Sequence, residues 1–477
     1  MSWHVTIDKK SKVPLYQQVK KYLLEYIKTQ DKTDITIPTE VEICKNFDVS
    51  RGTVRTAILE LVNEGILERV TGKGTFINKI PETLRFASWQ SHEASTALGL
   101  TELEDLFVKK TGYSVENIEI PYVEMERRLI VMAARGEAPD LASLINIWTP
   151  IIAYYGALHP LDDMYTYDVM SNIYPQTINP LVYKDHVYGF NWINGPNILY
   201  YNKNLLEQYL CTPNISGDTY DDLLENLIKI YDKSKGEIIP FSIPILDDEL
   251  FFLFNLFNYL YAFDGGLIDV EGELCFSSQA NINAFSWLKR FVNRGHVNIS
   301  NGFNKNRKLF ADQKLAFIIE GPWLRNQIPV LNENLQNDMS HVGYAVVPKG
   351  QNGKSSSILW SHCLSIFRQC ERKEMAAEFV KFLAFDKEAG ELYYRRTGML
   401  PVNKSELNNN PLYNDDFGTV LKKQMETAEP INTGKPNAFM MAVMICAKAS
   451  RDILLGDADI ASTLNSHAEI IREIYRL

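Results

Sequence analysis

The stretch from Val49 to Ile77, VSRGTVRTAILELVNEGILERVTGKGTFI, carries side chains suited to contacts with DNA. Arginine can donate two hydrogen bonds to a guanine edge, and threonine can bond a base or a phosphate. Glycines allow the backbone to approach a phosphate closely, and lysine adds positive charge there. We therefore take these as candidate DNA-binding residues: Ser50, Arg51, Thr53, Arg55, Thr71, Gly72 and Lys73.

Local signals predict the elements that must hold these side chains. Apolar residues recur at helical spacing from Leu15, Thr39 and Glu42 have the spacing of a capping box, and Ser50 is suited to cap a third helix. After a helix stop at Gly65, two β-rich runs flank a glycine turn, which predicts a small hairpin. The pattern indicates a winged helix-turn-helix, an α domain with a β-hairpin wing. The predicted inward face of the third helix is Val54, Ala57, Ile58, Leu61 and Val62.

An isolated exposed arginine is more often solvated surface than a DNA contact. Here a helix cap, exposed arginines and a wing occur together, and this combination favours DNA binding. Residues 13–78 also resemble the DNA-binding domain of the GntR family, through PLYQQV, SRGTVRTAI and GKGTFI. The resemblance implies recognition by the third helix, with Thr71 and Gly72 at the wing tip, and a homodimer on palindromic sites. Val41 stands where the family usually has an arginine, so we expect one phosphate contact fewer.

Charge is partitioned along the 477-residue chain, whose formal net charge is -10. Through Lys79 the sequence has 13 Lys and Arg against 10 Asp and Glu, which gives the head +3 and leaves -13 for the remainder. A mildly basic head suits DNA, and an acidic body would repel stray DNA. The two effects together favour specific binding.

Three features that the sequence lacks bear on the cellular location of the protein. The first twenty residues contain no apolar core typical of a signal peptide, and no uninterrupted apolar run of about 18 residues occurs. The six cysteines show neither paired nor metal-type spacing. We therefore expect a protein of the reducing cytoplasm, without a membrane partner.

Beyond Pro81 the sequence alternates between helical and strand-like segments, from TLRFASW through LASLINIW. This alternation predicts an α/β body with a mostly parallel sheet. Ligands of such sheets bind beyond the carboxyl ends of strands, so the loops after RFASW and LASLINIW are candidate positions for a site. The apolar segment ELFFLFNLFNYLYAF is interrupted by Asn255 and Asn258 and predicts a buried helix.

Phrases along nearly the whole body resemble, in order, the extracellular solute-binding proteins that carry sugars and oligosaccharides for ABC importers. Among them are VYGFNWINGPNILYYNKNLLEQ, KLFADQKLAFIIEGPWL and AAEFVKFLAFDKEAGELYYRRTGMLPVNKS. The resemblance implies a periplasmic-binding-protein-like domain, similar to maltose-binding protein, with two α/β lobes around a ligand cleft. We predict a DNA-binding domain over 1–79 and a solute-binding domain over 80–477. Its lobe 1 would comprise about 82–189 and 348–399, and its lobe 2 about 190–347 and 400–477.

A sugar presents apolar C–H faces and a ring of hydroxyls, so its site needs aromatic platforms and hydrogen-bonding side chains. The resemblance places Trp148 and Trp323 where the maltose-binding branch stacks sugar rings, and Met440 where that branch has a further stacking tryptophan. For every tryptophan, packing in the core or on the surface is the alternative. Loop position adds the candidates Trp89, Glu93, Asn146, Trp192 and Trp360.

Catalytic interpretations find little support. An aminotransferase-like body would need a Schiff-base lysine in a small-residue setting and an NPTG-like loop, and we find neither. TGKGTF lacks Walker spacing, and the eight histidines form no HExxH motif or ligand pair. Asp162 and Asp163 are better explained as solvated or structural carboxylates than as a glycosidase pair. We predict no enzymatic activity, no cofactor and no metal.

These patterns predict a cytoplasmic, ligand-responsive transcription regulator. It would bind operator DNA through its head, sense a sugar or oligosaccharide in its body, and change its DNA affinity when the hinge closes. The alternative is a non-catalytic intracellular solute-binding or buffering protein whose DNA binding is vestigial. The ligand, the operator and the sign of regulation stay open.

Overall fold

The structure, a computed structural model, describes residues 7–9, 11, 13–30, 35–78, 83–90, 94–269, 272–335 and 338–476. The chain divides into two compact units. The first comprises Met1–Arg85 and Glu104–Glu116, and the second comprises Phe86–Leu103 and Asn117–Leu477.

The N-terminal part of the first unit has its own core, and its elements follow from local signals. Thr39 and Glu42 form both hydrogen bonds of a capping box, and Ser50 caps the third helix through its side chain. The apolar face of that helix is buried as predicted, with Val62 half-buried at its edge. The elements are α1 (Leu15–Lys28), α2 (Glu40–Phe47), α3 (Arg51–Asn63), β1 (Leu67–Val70) and β2 (Gly74–Ile77). β1 and β2 pair antiparallel as the predicted wing.

The remainder is built from strands and helices in alternation. Its strands are β3 (Thr83–Ser88), β4 (Ser114–Glu119), β5 (Leu141–Ile145), β6 (Val182–Tyr183), β7 (His186–Val187), β8 (Phe190–Pro196), β9 (Ile198–Asn202), β10 (Ile239–Phe241), β11 (Leu315–Glu320), β12 (Val342–Ala345), β13 (Leu359–Ile366) and β14 (Leu400–Pro401). Its first helices are α4 (Ala94–Thr111), α5 (Met125–Ala134), α6 (Trp148–Tyr154), α7 (Tyr167–Ser171), α8 (Lys203–Leu210), α9 (Tyr220–Ser234), α10 (Glu249–Leu260) and α11 (Gln279–Arg294). The later helices are α12 (Phe303–Ala311), α13 (Leu324–Leu331), α14 (Lys373–Phe385), α15 (Lys387–Thr397), α16 (Lys404–Asn409), α17 (Asp416–Met425), α18 (Pro436–Leu455) and α19 (Ile460–Arg476).

Two sheets organise these elements. One has six strands in the order β14-β8-β13-β5-β3-β4, and the other has four in the order β10-β11-β9-β12. The chain passes from the first sheet to the second at Asn197, between the end of β8 and the start of β9.

The prediction of a mostly parallel sheet is wrong. Among the described pairings of the two sheets, β3 with β5 and β10 with β11 are parallel, whereas β8, β9, β12, β13 and β14 pair antiparallel with their neighbours. The parallel pairs are strands joined through intervening helices, as the alternation implied. The antiparallel strands come from distant segments such as Leu359–Ile366, and helix–strand alternation gives no information about how those segments pair.

The segment ELFFLFNLFNYLYAF forms α10 and then a short 3-10 helix, Tyr261–Phe263. It is largely buried as predicted, with Asn255 and Asn258 inside α10. Asn258 is fully buried because its side chain is satisfied: its Oδ1 accepts a hydrogen bond from the backbone N–H of Ile358 at 3.0 Å. No helix in the described part of the chain is long and apolar enough to cross a membrane.

Candidate functional site

The N-terminal end of α3 presents the predicted DNA-binding side chains. The hydroxyl of Ser50 accepts a hydrogen bond from the backbone N–H of Thr53 at 3.1 Å, and the two hydroxyls lie 2.8 Å apart. This cap satisfies a backbone donor that the helix cannot pair internally, and so fixes where α3 begins. Arg51 and Arg55 are exposed on the first turns, opposite the buried face of the helix.

The wing tip depends on two glycines with positive φ. Gly72 has φ 78° and Gly74 has φ 118°, backbone conformations that L side chains rarely adopt. The turn closes through the N–H of Lys73, which donates to the carbonyl of Val70 at 3.0 Å. Thr71, Gly72 and Lys73 are all exposed, so the tip can approach a phosphate backbone.

Val41 stands at the position where the similar family usually has an arginine. Its side chain is 55% exposed. It follows Glu40, whose carboxylate accepts a hydrogen bond from Nε of Arg55 at 2.9 Å. α3 is therefore bonded to the start of α2 by an ion pair.

The second unit contains a cavity of about 340 Å³. Asn197, at the passage between the sheets, lines it together with side chains from segments far apart in sequence. The aromatic lining residues are Trp89, Tyr122, Phe251, Phe303, Trp323, Trp360 and Tyr393. The amides of Gln90, Asn197, Asn255, Asn304 and Gln327 interrupt this aromatic surface. Such a lining offers flat apolar faces together with hydrogen-bond donors and acceptors.

Two pairs of rings define the cavity walls. Trp323 and Trp360 lie 6.1 Å apart between centroids with their planes at 72°. Trp89 packs on His362 at 4.9 Å. Trp360 and His362 are alternate residues of β13 and so project from the same face of the sheet. Burial lowers the pKa of His362 to about 3, and its ring is therefore neutral at pH 7.

The charged residues that line the cavity are Asp247, Arg307 and Glu320, and each has a partner in the protein. Nε of Arg307 donates to Oε2 of Glu320 at 2.8 Å, and Oε1 of Glu320 accepts from the N–H of Gly321 at 2.9 Å. Oδ2 of Asp247 accepts from the N–H of Phe303 at 2.7 Å. The described lining has no fixed excess of positive charge of the kind that would select an anion.

Asn255 carries a buried side-chain oxygen beside the cavity. The residue is 5% exposed and lines the cavity, and its Oδ1 has no hydrogen-bond partner in the described part of the molecule. Buried acceptors are normally satisfied, so a donor from a bound molecule would complete this one.

The structure brings together three of the tryptophans predicted from the sequence: Trp89, Trp323 and Trp360 line the cavity. Trp148 and Trp192 are placed outside the described lining. Trp148 is 3% exposed and packs edge-on to Trp89 at 5.5 Å, and Trp192 is 1% exposed and packs against Tyr393 at 4.8 Å.

Asn146 is also placed outside the lining and is 3% exposed, and its backbone N–H bonds to the carbonyl of Ser361. Glu93 lies outside the residues that the structure describes. Met440 packs half-buried against the core and is not among the lining residues of the cavity.

Several residues that line the cavity were not predicted from the sequence. Phe303 and Arg307 are four apart on α12 and so share a helix face, which was the available signal. Glu320 could have been inferred from its place three residues before Trp323. Phe251 and Asn255 have the same spacing on α10, where the uniformly apolar surroundings concealed it.

Within the described residues, no group of three or more His, Cys, Asp or Glu side chains is placed to hold a metal ion.

Comparison with known proteins gives two family matches on one chain. Residues 15–77 match the family described as bacterial regulatory proteins, gntR family. Residues 103–418 match the family described as bacterial extracellular solute-binding protein.

Individual relatives divide in the same way. The galactooligosaccharide-binding protein of Bacillus subtilis (strain 168) is 23% identical over 395 residues, which cover 80% of this chain and 87% of that protein. The HTH-type transcriptional repressor NagR of the same organism is 42% identical over 80 residues, which cover 16% of this chain and only 31% of the repressor. An ABC transporter solute-binding protein from Thermotoga lettingae, solved with alpha-D-tagatose, superposes with a TM-score of 0.70 at 21% identity over 82% of this chain and 99% of that one. These similarities confirm the predicted fold, a winged helix-turn-helix head followed by a two-lobe α/β solute-binding fold.

Proposed function

Because the chain belongs to the family of bacterial extracellular solute-binding proteins and begins with a gntR-family regulatory domain, we propose that it is a sugar-responsive transcription regulator. The observation that carries this proposal is the presence, on one chain, of an exposed arginine-bearing helix end and a tryptophan-lined cavity. The protein would act in the cytoplasm and without catalysis.

The proposed ligand is a sugar or oligosaccharide. Trp89, Trp323 and Trp360 offer ring faces for apolar C–H surfaces, and the cavity amides offer partners for hydroxyls. The sugars named for two relatives, galactooligosaccharide and tagatose, support the same class.

The proposed DNA partner is a duplex operator bound by a homodimer. Ser50, Arg51, Thr53 and Arg55 would enter the major groove, and Thr71, Gly72 and Lys73 would meet the backbone or minor groove. Two heads reading a palindrome require half-sites about 34 Å apart or a multiple of this distance.

The proposed signal is closure of the two lobes on the ligand. A ligand that contacts both sheets stabilises the closed form and shifts the population towards it. The passage between the sheets at Asn197 lines the cavity, which supports a hinge close to the ligand. Coupling of this kind is commonly about 1–3 kcal/mol and is reciprocal, so operator DNA should change sugar affinity by the same factor.

A two-stage experiment tests the proposal. The full chain is first screened by thermal shift against mono- and oligosaccharides, because a ligand at 100 times its Kd adds about 2.7 kcal/mol to stability. Operator binding is then measured with and without the sugar that stabilises the protein. A sugar that binds but never changes DNA affinity would contradict a regulator and favour a solute-buffering role. A chain that no sugar stabilises would contradict the proposed ligand class.

A further inference from the structure

Glu40, the first residue of α2, touches arginines from two different elements of the head. Its Oε2 accepts from Nε of Arg55 on α3 at 2.9 Å, and its Oε1 accepts from a guanidinium nitrogen of Arg69 on β1. Arg55 belongs to the proposed recognition surface, and Arg69 lies two residues before the wing tip. One carboxylate therefore connects the recognition helix to the wing.

The three side chains differ in their exposure to solvent, and the carboxylate is the most buried of them. Glu40 is 20% exposed, whereas Arg55 is 63% and Arg69 is 53% exposed. The carboxylate lies beneath two guanidinium groups that face solvent. Two cations this close would repel each other, and the anion between them offsets the repulsion. Burial alone would raise the pKa of Glu40, but its bonds to Arg55 and Arg69 lower it, so the group is ionised at neutral pH.

We propose that Glu40 is a positioning residue for DNA recognition and that Arg69 is a further DNA contact, which Glu40 holds beside Arg55. This inference rests on the proposed DNA-binding function of the head. A guanidinium held in place before binding loses less conformational freedom when it contacts DNA. The shared carboxylate also fixes the register between the helix, which reads bases, and the wing, which contacts the backbone.

The two arginines should have separable roles. Arg55, near the N-terminal end of α3, is placed to read a base edge, so its loss should relax sequence preference. Arg69, on the strand that leads to the wing, is placed for a phosphate. Its loss should weaken binding to all duplexes equally and reduce the slope of log K against log[salt] by about one.

The experiment uses the full chain and a library of random-sequence duplexes, from which the wild type selects a preferred duplex. Affinities for that duplex and for a scrambled one are then measured over a range of salt concentrations. We expect Glu40→Gln to weaken binding to the selected duplex about tenfold, the scale of a lost hydrogen bond to a charged group. Binding to the scrambled duplex should fall less, because the loosened phosphate contact of Arg69 is offset there by the removal of a negative charge near DNA. Glu40→Asp should recover part of the loss.

Glu68→Gln is the matched control. Glu68 is exposed next to Arg69 and takes part in no ion pair within the described residues. Its replacement removes the same charge without releasing an arginine, and should strengthen binding to both duplexes slightly.

Two results would overturn the inference. If Glu40→Gln binds the selected duplex as tightly as the wild type or more tightly, Glu40 competes with DNA for the arginines and does not position them. If Arg69→Gln leaves the salt slope unchanged, Arg69 makes no phosphate contact, and this variant leaves Glu40 itself untouched. A wild type that selects no duplex would instead contradict the proposed function of the head.

Discussion

The indole Nε1 of Trp360 donates a hydrogen bond to Oδ1 of Asn197 at 3.1 Å. Trp360 is a wall of the cavity, and Asn197 is the residue at which the chain passes between the two sheets. Asn197 is itself held from two sides, by the carbonyl of Ile358, which accepts from its backbone N–H at 3.1 Å, and by the side chain of Asn258 at 3.5 Å. A ring that lines the cavity is thus bonded directly to the proposed hinge.

This bond predicts coupling between Asn197 and Trp360. Asn197→Ala leaves the indole N–H without its partner and should destabilise the second unit by about 1–3 kcal/mol. Trp360→Phe keeps an aromatic wall and removes only the donor. A double-mutant cycle in urea unfolding should give a coupling of about 0.5–1.5 kcal/mol. Strictly additive effects would mean that the hydrogen bond contributes nothing to stability.

His362 predicts a pH dependence of stability. Burial lowers its pKa from 6.5 to about 3, so the folded ring resists a proton that the unfolded chain accepts. The unfolded state therefore gains protons as the pH falls from about 6.5 towards 3, and folding stability is lost over that range. Above pH 6.5 the ring is neutral in both states, and the contribution is constant.

His362→Gln tests this dependence because it removes the titrating group and keeps an amide that can meet Gln90, the neighbour of His362 at 3.5 Å. Unfolding free energies of the two proteins should converge, or reverse in order, between pH 7 and pH 5. An equal difference at both pH values would show that His362 does not titrate differently on folding.

The ion pair of Arg307 with Glu320 predicts an asymmetric response to mutation. The Glu320 side chain is only 3% exposed, so Arg307→Met leaves a buried carboxylate without its cation and should cost about 3–5 kcal/mol. Adding Glu320→Gln to that variant should recover part of the loss, because an amide tolerates burial better than an unpaired charge. Denaturant unfolding of the single and double variants measures both effects. A cost below 1 kcal/mol for Arg307→Met would contradict the assigned burial of the pair.

The head could be predicted almost entirely from the sequence because its determinants are local. The capping box of Thr39 and Glu42, the cap at Ser50 and the glycine turn each act within a few residues. The ion pairs of Glu40 could not be predicted, because Arg55 and Arg69 lie 15 and 29 residues away and meet it only in the folded domain.

The lining of the cavity, in contrast, could be predicted only in part, because it depends on contacts between segments far apart in the sequence. Trp89, Trp323 and Trp360 could be proposed from resemblance and loop position, but Trp148 could not be distinguished from them by type or context. Its burial against Trp89 depends on packing between segments about 60 residues apart, which spacing along one strand or helix does not encode. The pairing directions of β8, β9 and β13 escaped prediction for the same reason.

Trp323 and Trp148 give the sharpest test of the cavity assignment, because the resemblance treated them alike and the structure separates them. Trp323→Ala removes a half-buried wall, so it should abolish the sugar response while leaving operator binding intact. Trp148→Ala removes a ring that is 3% exposed and packed on Trp89 and Tyr122, so it should lower stability by about 3–5 kcal/mol. Thermal melts, sugar titrations and operator binding on both variants separate the two roles. A sugar response that persists in Trp323→Ala would show that the ligand does not contact this wall. A stable Trp148→Ala protein that loses sugar binding would place the ligand against Trp148 instead.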